Sequence, residues 1–282
     1  MACTFGDYST LHIPRTHIQR THWIGKGAFG SVYYAKWLGT NVVMKQIETN
    51  QAEKDNQNQF FQETELWMML NHKHLVHLYG VDDSEQRPFF ICERATCGTL
   101  TRFLSKIGYS GLEDHLTDIV FGLGRVIFPG RLESEIGDSR LRECLIDAAL
   151  GLENLHESGI AHGDLKGDNI LVCWDKYTRS TTTKIADFGL SVCLDRHPLR
   201  YPSYKLGAIR WKAPEFLECN VPTRESDVFS FGMCIVEAAT GRLPWAGICD
   251  DNTLCSKQTI ASNTSKRDER CFMVFSRADV PF

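Results

Sequence analysis

The sequence predicts an α+β protein in which short strands and a single helix come first and longer helices follow, and three observations predict it. Alternating apolar residues flank a glycine cluster in HWIGKGAFGSVYYAKW, which reads as strand, turn, strand. Ile170-Leu171-Val172 and Lys184-Ile185-Ala186 read as two further short strands joined by a hairpin. Two stretches, Ser139 to His156 and Ser226 to Thr240, carry the apolar pattern of helices. The 282 residues suit one large domain or two lobes around a cleft. With 43% hydrophobic and 23% charged residues, the composition is that of an ordinary globular protein with a packed core.

Taken in order, the segment to about Thr21 is short, polar and peripheral. Gly25, Gly27 and Gly30 then mark a turn, and Val32, Tyr34 and Ala35 continue as strand. Glycines let backbone N–H groups approach phosphate oxygens with no Cβ in the way, although a plain glycine-containing hairpin has the same pattern. The residues after the turn are β-branched and aromatic, which argues against a dinucleotide fold, where such glycines open a helix. Asn41 to Ile47 is a strand with Lys45 inside it. A snorkelling edge lysine is the ordinary explanation, but a partner is available. After a polar loop from about Glu48 to Gln57, the stretch Gln59 to Leu70 is helical, with Phe60, Trp67 and Leu70 on one face and Glu63 and Glu65 as candidate carboxylates for Lys45. Leu75 to Tyr79 and Pro88 to Glu93 read as two more strands. Gly98-Thr99-Leu100 opens a helix to about Lys106. Ile107 to Asp138 is glycine-rich and aperiodic, as an insertion would be. Leu141, Leu145, Ala148, Leu152 and Leu155 form one stripe of the next helix, which Gly159 follows. Ser191 to Leu206 is polar, with hydroxyls at Ser191, Tyr201, Ser203 and Tyr204. The helix through Asp227 is strongly apolar and expected to be buried, and Ala246 to Phe282 reads as polar coil.

The chemistry concentrates between Ala161 and Leu190. There Asp164, Asp168 and Asn169 lie on one side of the strand pair and Asp187 on the other, so the hairpin gathers them at one end of a small sheet. Carboxylate and amide oxygens beside Lys166 suit a hard divalent cation bound to phosphates. The net charge of −4 gives no global pull toward nucleic acid or an anionic membrane. The 11 cysteines lack CxxC or zinc-site spacing, and neither a secretory signal nor an apolar run of membrane-spanning length is visible. Free thiols in a reducing compartment follow, cytoplasmic with the nucleus as the alternative, with neither a nucleic-acid partner nor membrane insertion expected.

Together these landmarks resemble the eukaryotic protein kinase family, over roughly Trp23 to Trp245 with a break between about Ile107 and Asp138. The resemblance implies a bilobal kinase-like fold, with a small antiparallel lobe over 22–95 and a mostly helical lobe over 96–245. It implies an ATP-dependent protein serine/threonine kinase that transfers the γ-phosphate to a protein hydroxyl. The glycine loop Ile24, Gly25, Lys26, Gly27, Ala28, Phe29 and Gly30 would cover ATP, with Val32, Val43, Lys45, Cys92, Glu93, Ala95 and Leu171 completing its pocket. Lys45 would pair with Glu63, which best fits the family register. Asp164 in His162-Gly163-Asp164 would be the base and Lys166 the γ-phosphate partner, while Asn169 and Asp187 would hold Mg2+, with Mn2+ as the alternative. Asp168 drops out as structural or solvated. Trp67, Leu78, His162 and Phe188 would stack between the lobes. The lysine two residues after Asp164 is the serine/threonine pattern, and Gly207 to Glu215 is similar to the tyrosine kinase-like group.

Four departures from the family pattern carry expectations of their own. Gly163 replaces an arginine that pairs with a phosphorylated loop, so activity should depend little on loop phosphorylation. Ala208 replaces a threonine whose hydroxyl contacts the Asp and Lys of the catalytic loop, so Asp164 and Lys166 should be less well held. The 107–138 stretch has no counterpart. The family core also continues through further helices after the position of Trp245, so Glu215 should lack its arginine partner and the Asp227 helix should expose apolar surface, at a cost in stability. These departures leave a catalytically impaired kinase-like nucleotide-binding or scaffold protein as the alternative reading.

Overall fold

Period-two alternation builds the first layer of the structure. Strands β1 (Ile18–Gly27), β2 (Gly30–Trp37), β3 (Thr40–Ile47), β4 (Leu78–Asp82) and β5 (Phe89–Cys92) form an antiparallel sheet in the order β1-β2-β3-β5-β4. The computed structural model describes residues 11–27, 30–47, 53–83, 87–107, 135–195 and 207–246. Ala28 and Phe29 of the glycine loop, residues 108–134 of the 107–138 stretch, Tyr201, Ser203, Tyr204 and the expected tail beyond residue 246 lie outside them. Successive side chains of a strand face opposite ways, so Val42 and Met44 join Ile13, Ala35, Phe89 and Ile91 in one small core. Val43 and Lys45 face the other way, toward Phe90, Cys92 and helix α1 (Glu53–Met68). On that helix Phe60, Leu66 and Trp67 are buried.

The second lobe is mostly helical. It contains β6 (Gly98–Thr99), α2 (Leu100–Lys106), α3 (Glu135–Glu157), β7 (Ile160–Ala161), β8 (Ile170–Asp175), β9 (Ser180–Ile185), β10 (Val192–Cys193), α4 (Pro214–Cys219) and α5 (Arg224–Thr240). Strands β8 and β9 are the expected hairpin, paired from Ile170↔Ile185 to Asp175↔Ser180. Helix α3 buries Cys144, Ala148, Leu152 and Leu155, while Leu141 and Leu145 pack at the edge of the same core. The lobes are joined where Val76 N–H donates to the Ile185 carbonyl and Ile185 N–H to the His74 carbonyl, each at 2.9 Å. Trp67, Phe188 and His162 stack in sequence across this junction, with centroid distances of 5.4 and 5.7 Å, and Leu78 is buried in the same core.

Several expectations are corrected. Helix α1 begins at Glu53, inside the stretch expected to be loop, because a run of polar residues carries no apolar period to mark a helix start. The strand expected at Leu75 to Tyr79 is β4 at Leu78–Asp82, since residues 74 to 76 spend their backbone groups on Ile185 instead. Helix α3 begins at Glu135 rather than Ser139. Helix α5 is buried on only some of its apolar residues, Cys234 and Ala238, which join the main core. Its buried positions are Ser226, Asp227, Ser230, Cys234, Glu237 and Ala238, while Phe229, Phe231 and Ile235 are only partly buried. A capping box between Thr223 and Ser226 starts this helix and Gly241, at φ 66°, ends it.

Glu237 explains part of that pattern. Its Oε2 accepts from Trp211 Nε1 at 2.9 Å and from Gly167 N–H at 3.1 Å, which ties α5 to the loop after β7. Burial raises the Glu237 pKa above the ordinary 4.5, and the two donors only partly oppose it. A carboxyl whose folded pKa is raised favours folding most in its protonated form. Wild type should therefore gain stability relative to Glu237→Gln as pH falls from the folded pKa to 4.5, and the difference should be flat below that. Urea unfolding of both proteins across this window measures it, and a difference constant with pH would contradict it.

Candidate active site

The loop after β7 is held from below by one carboxylate. Asp227, 1% exposed on α5, accepts through Oδ2 from His162 N–H at 2.6 Å and His156 Nε2 at 3.1 Å, and through Oδ1 from Gly163 N–H at 2.9 Å. Gly163 sits at φ +74°, and a Cβ there would collide with the Leu190 carbonyl oxygen. The position thus excludes the arginine found in the family for local steric reasons. Gly163→Arg should destabilise the fold by about 1–3 kcal/mol, the usual cost of forcing a side chain into such a conformation; an unchanged urea midpoint would refute this. Ser191, expected among the loop hydroxyls, is 7% exposed and donates to the His162 carbonyl at 2.9 Å, so it braces the loop instead of presenting a free hydroxyl.

The loop delivers Asp164 into a set of donors. Its Oδ2 accepts from Lys166 Nζ at 3.0 Å, and its Oδ1 from Ala208 N–H at 3.0 Å and Lys212 Nζ at 3.3 Å. Gly207, at φ +65°, permits this approach, because a Cβ there would strike Oδ1. The carbonyl of Asp164 accepts from Asn169 Nδ2 at 2.8 Å. Sequence reasoning missed Lys212. It is 3% exposed, its ammonium also donates to the Gly163 carbonyl, and it lies 4.5 Å from the Phe216 ring centroid. Burial pulls its pKa below the ordinary 10.5, with Asp164 opposing. The available signal was a lysine set directly between the apolar residues Trp211 and Ala213.

Facing this loop, Lys45 Nζ donates to Glu63 Oε1 and to Asp187 Oδ1, both at 2.7 Å. Glu63, 2% exposed, is therefore the helix partner of the strand lysine, as the register predicted. Burial lowers the Lys45 pKa, but Asp187 and Glu63 outweigh it and hold the group above its ordinary value. Burial likewise raises the Asp187 carboxyl, and the Lys45 ammonium reverses that and holds it below 3.8. Asp187 sits at φ 68°, a conformation aspartate tolerates better than most residues. The Ala186 N–H donates to the Asn169 carbonyl at 2.9 Å, so Asn169 and the residue preceding Asp187 are adjacent. With its amide nitrogen bound to Asp164, Asn169 offers Oδ1. Together with the Asp187 carboxylate this is a hard oxygen donor set that fits Mg2+ or Mn2+ and not a thiophilic metal. Asp168 is exposed.

The expected nucleotide pocket follows the strand register. Val32 pairs with Gly25 and Lys45, and Val43 with Cys92. Cys92 is 6% exposed, and burial pushes its thiol up to about 12, so it acts as an apolar wall. Glu93 N–H donates to the His77 carbonyl, and the Glu93 side chain pairs with Lys184 at 2.8 Å, which leaves the linker from Glu93 to Ala95 between the lobes. Val43 and Leu171 are half-buried against the main core, Ile24 is 39% exposed, and Gly25, Lys26, Gly27 and Gly30 form the strand ends around the turn. Glu215 is exposed and, among the described residues, makes no ion pair. A groove between α3 and α5, lined by Leu152, His156, Val228 and Phe231, contains none of the expected site residues.

The model of the protein tyrosine and serine/threonine kinase family matches residues 18–275. The chain is 30% identical over 240 residues to Tyrosine protein-kinase src-1 of Caenorhabditis elegans, covering 84% of this chain and 39% of that protein. It is 28% identical over 244 residues to Serine/threonine-protein kinase CTR1 of Arabidopsis thaliana, covering 86% of this chain and 26% of the relative. Fibroblast growth factor receptor 2 of Dugesia japonica is 32% identical over 237 residues, covering 81% of this chain and 25% of that protein. The chain thus spans well under half the length of each of these relatives.

Proposed function

Because the chain belongs to the protein tyrosine and serine/threonine kinase family, we propose that it transfers the γ-phosphate of ATP to a serine or threonine hydroxyl of a protein substrate. The observation that carries this reading is the paired arrangement around the cleft. Lys45 is locked between Glu63 and Asp187 on one side, and Asp164 is held by Lys166 and Ala208 N–H on the other. Phosphoryl transfer needs little covalent help from the protein, and positioning with charge stabilisation supplies most of the rate.

In this reading Lys45, aimed by Glu63, holds the phosphates of ATP, and the glycine turn closes over them. Asp164 accepts the proton of the attacking hydroxyl and orients its oxygen in line with the γ-phosphate. Lys166 swings from Asp164 Oδ2 to the γ-phosphate oxygens, which its partly exposed side chain allows. Asn169 and Asp187 would hold Mg2+, which when bound supplies positive charge to the phosphate oxygens. The serine/threonine preference and the place in the tyrosine kinase-like group rest on Lys166 and on the segment Gly207 to Glu215. A cytoplasmic site of action rests on the free thiols of the described cysteines.

Incubation of the chain with labelled Mg-ATP and a generic basic protein, followed by phosphoamino-acid analysis, tests the proposal. Label on serine or threonine is expected. Label on tyrosine alone would overturn the specificity, and no label at all would overturn the activity.

A further inference from the structure

We propose that Lys212 is a positioning residue for Asp164, fixing its Oδ1 from the segment opposite the loop in place of a side-chain hydroxyl at position 208. The inference rests on the kinase reading for the role of Asp164, and on the structure for the contact. Position 208 is alanine, and only its backbone N–H reaches Asp164. Lys212 crosses the same gap from the turn Ile209–Trp211 and places its ammonium between Asp164 Oδ1 and the Gly163 carbonyl, so it binds both the reacting side chain and the loop that carries it.

The two cations on Asp164 are not equivalent. The Lys166 side chain is 26% exposed and free to leave Oδ2 for a phosphate, whereas the Lys212 side chain is 3% exposed and packed over Phe216. When Lys166 engages a phosphate, Lys212 still holds the carboxylate. Burying an ammonium is costly unless it is paired and hydrogen-bonded, and here one carboxylate and one carbonyl meet that need. Loss of a hydroxyl at 208 therefore leaves Asp164 well held, which reverses the expectation drawn from Ala208.

The test uses the whole chain. Lys212→Met is assayed alone and combined with Ala208→Thr, and the ATP KM is read beside kcat. The expected result is a fall in kcat of about tenfold or more with KM changed less than about twofold, and recovery of at least about fivefold on adding Ala208→Thr, because the new hydroxyl takes over the lost contact. A lysine that only stabilised the loop would show a lowered melting temperature without that rescue. An unaltered kcat in folded Lys212→Met, or a loss that Ala208→Thr leaves in place, overturns the proposal. A double-mutant cycle by urea unfolding, with Lys212→Met and Asp164→Ala, which removes the acceptor, reads the contact independently of turnover: the unfolding constants should depart from multiplicativity by about tenfold. If wild type transfers no phosphate, the kinase reading fails on its own and the cycle alone decides, multiplicative effects overturning the clamp. Should Lys212→Met not fold, Lys212→Gln is judged by the same criteria.

Discussion

Asp164→Asn is expected to lower phosphoryl transfer by about 10²–10⁴-fold, the range that a positioned general base contributes, while ATP affinity changes less than about twofold. The substitution preserves shape. An asparagine oxygen in the place of Oδ1 can still accept from Ala208 N–H and Lys212, so the segment between Gly207 and Lys212 should stay in place. What is lost is the ability to take a proton and the negative charge that Lys166 faces at 3.0 Å. In the proposed reading the main ATP contacts fall on the other side of the cleft, on Lys45 and the glycine turn, which accounts for the small expected change in affinity. Labelled transfer and calorimetric ATP binding on the same preparation separate the two effects. Residual transfer above about a tenth of wild type would remove Asp164 from the role of base.

How far the sequence disclosed this arrangement depends on the physical kind of each contact. Alternating apolar residues revealed β1 and β2, while β3 and β5 showed as short apolar runs, β5 being buried along its whole length. The β8–β9 hairpin was legible for a similar reason, whereas the residues alone left Glu63 and Glu65 both open as partners of Lys45, and the choice of Glu63 came from the family resemblance. The roles of Asn169 and Asp187 came from the family resemblance, and the geometry gives them compatible donors. Contacts made by polar side chains across long chain separations were not legible. Lys212 meets Asp164, and Glu237 meets Trp211 and Gly167, through chain folding that no local pattern encodes. Helix α5 was read only in part on that account. Its apolar residues suggested burial, yet the buried stripe sets Asp227 and Glu237 beside Cys234 and Ala238, because those carboxylates reach the loop after β7. The start of α1 and the register of β4 were lost where polar residues or competing backbone partners replaced the apolar period.

Asp227→Ala should destabilise the fold by about 3–5 kcal/mol, the cost of removing one partner from a buried charged network. The carboxylate is 1% exposed and serves three donors, so its loss leaves His162 N–H, Gly163 N–H and His156 Nε2 facing an apolar methyl in a space water does not readily reach. Asp227→Asn is the informative control. Its oxygen can replace one carboxylate oxygen, but its NH2 must then oppose an N–H donor, either that of Gly163 on one side or that of His162 on the other. It should recover part of the loss and not all of it, with a urea midpoint between those of wild type and Asp227→Ala. The same loop positions Asp164, and backbone shifts of His162 and Gly163 propagate to it directly through the chain. Asp227→Asn should therefore lose transfer activity even at temperatures where it remains folded, with the ATP KM little changed. A midpoint equal to that of wild type would show that the loop holds its shape without the second oxygen, and that Lys212, through the Gly163 carbonyl, suffices to fix it.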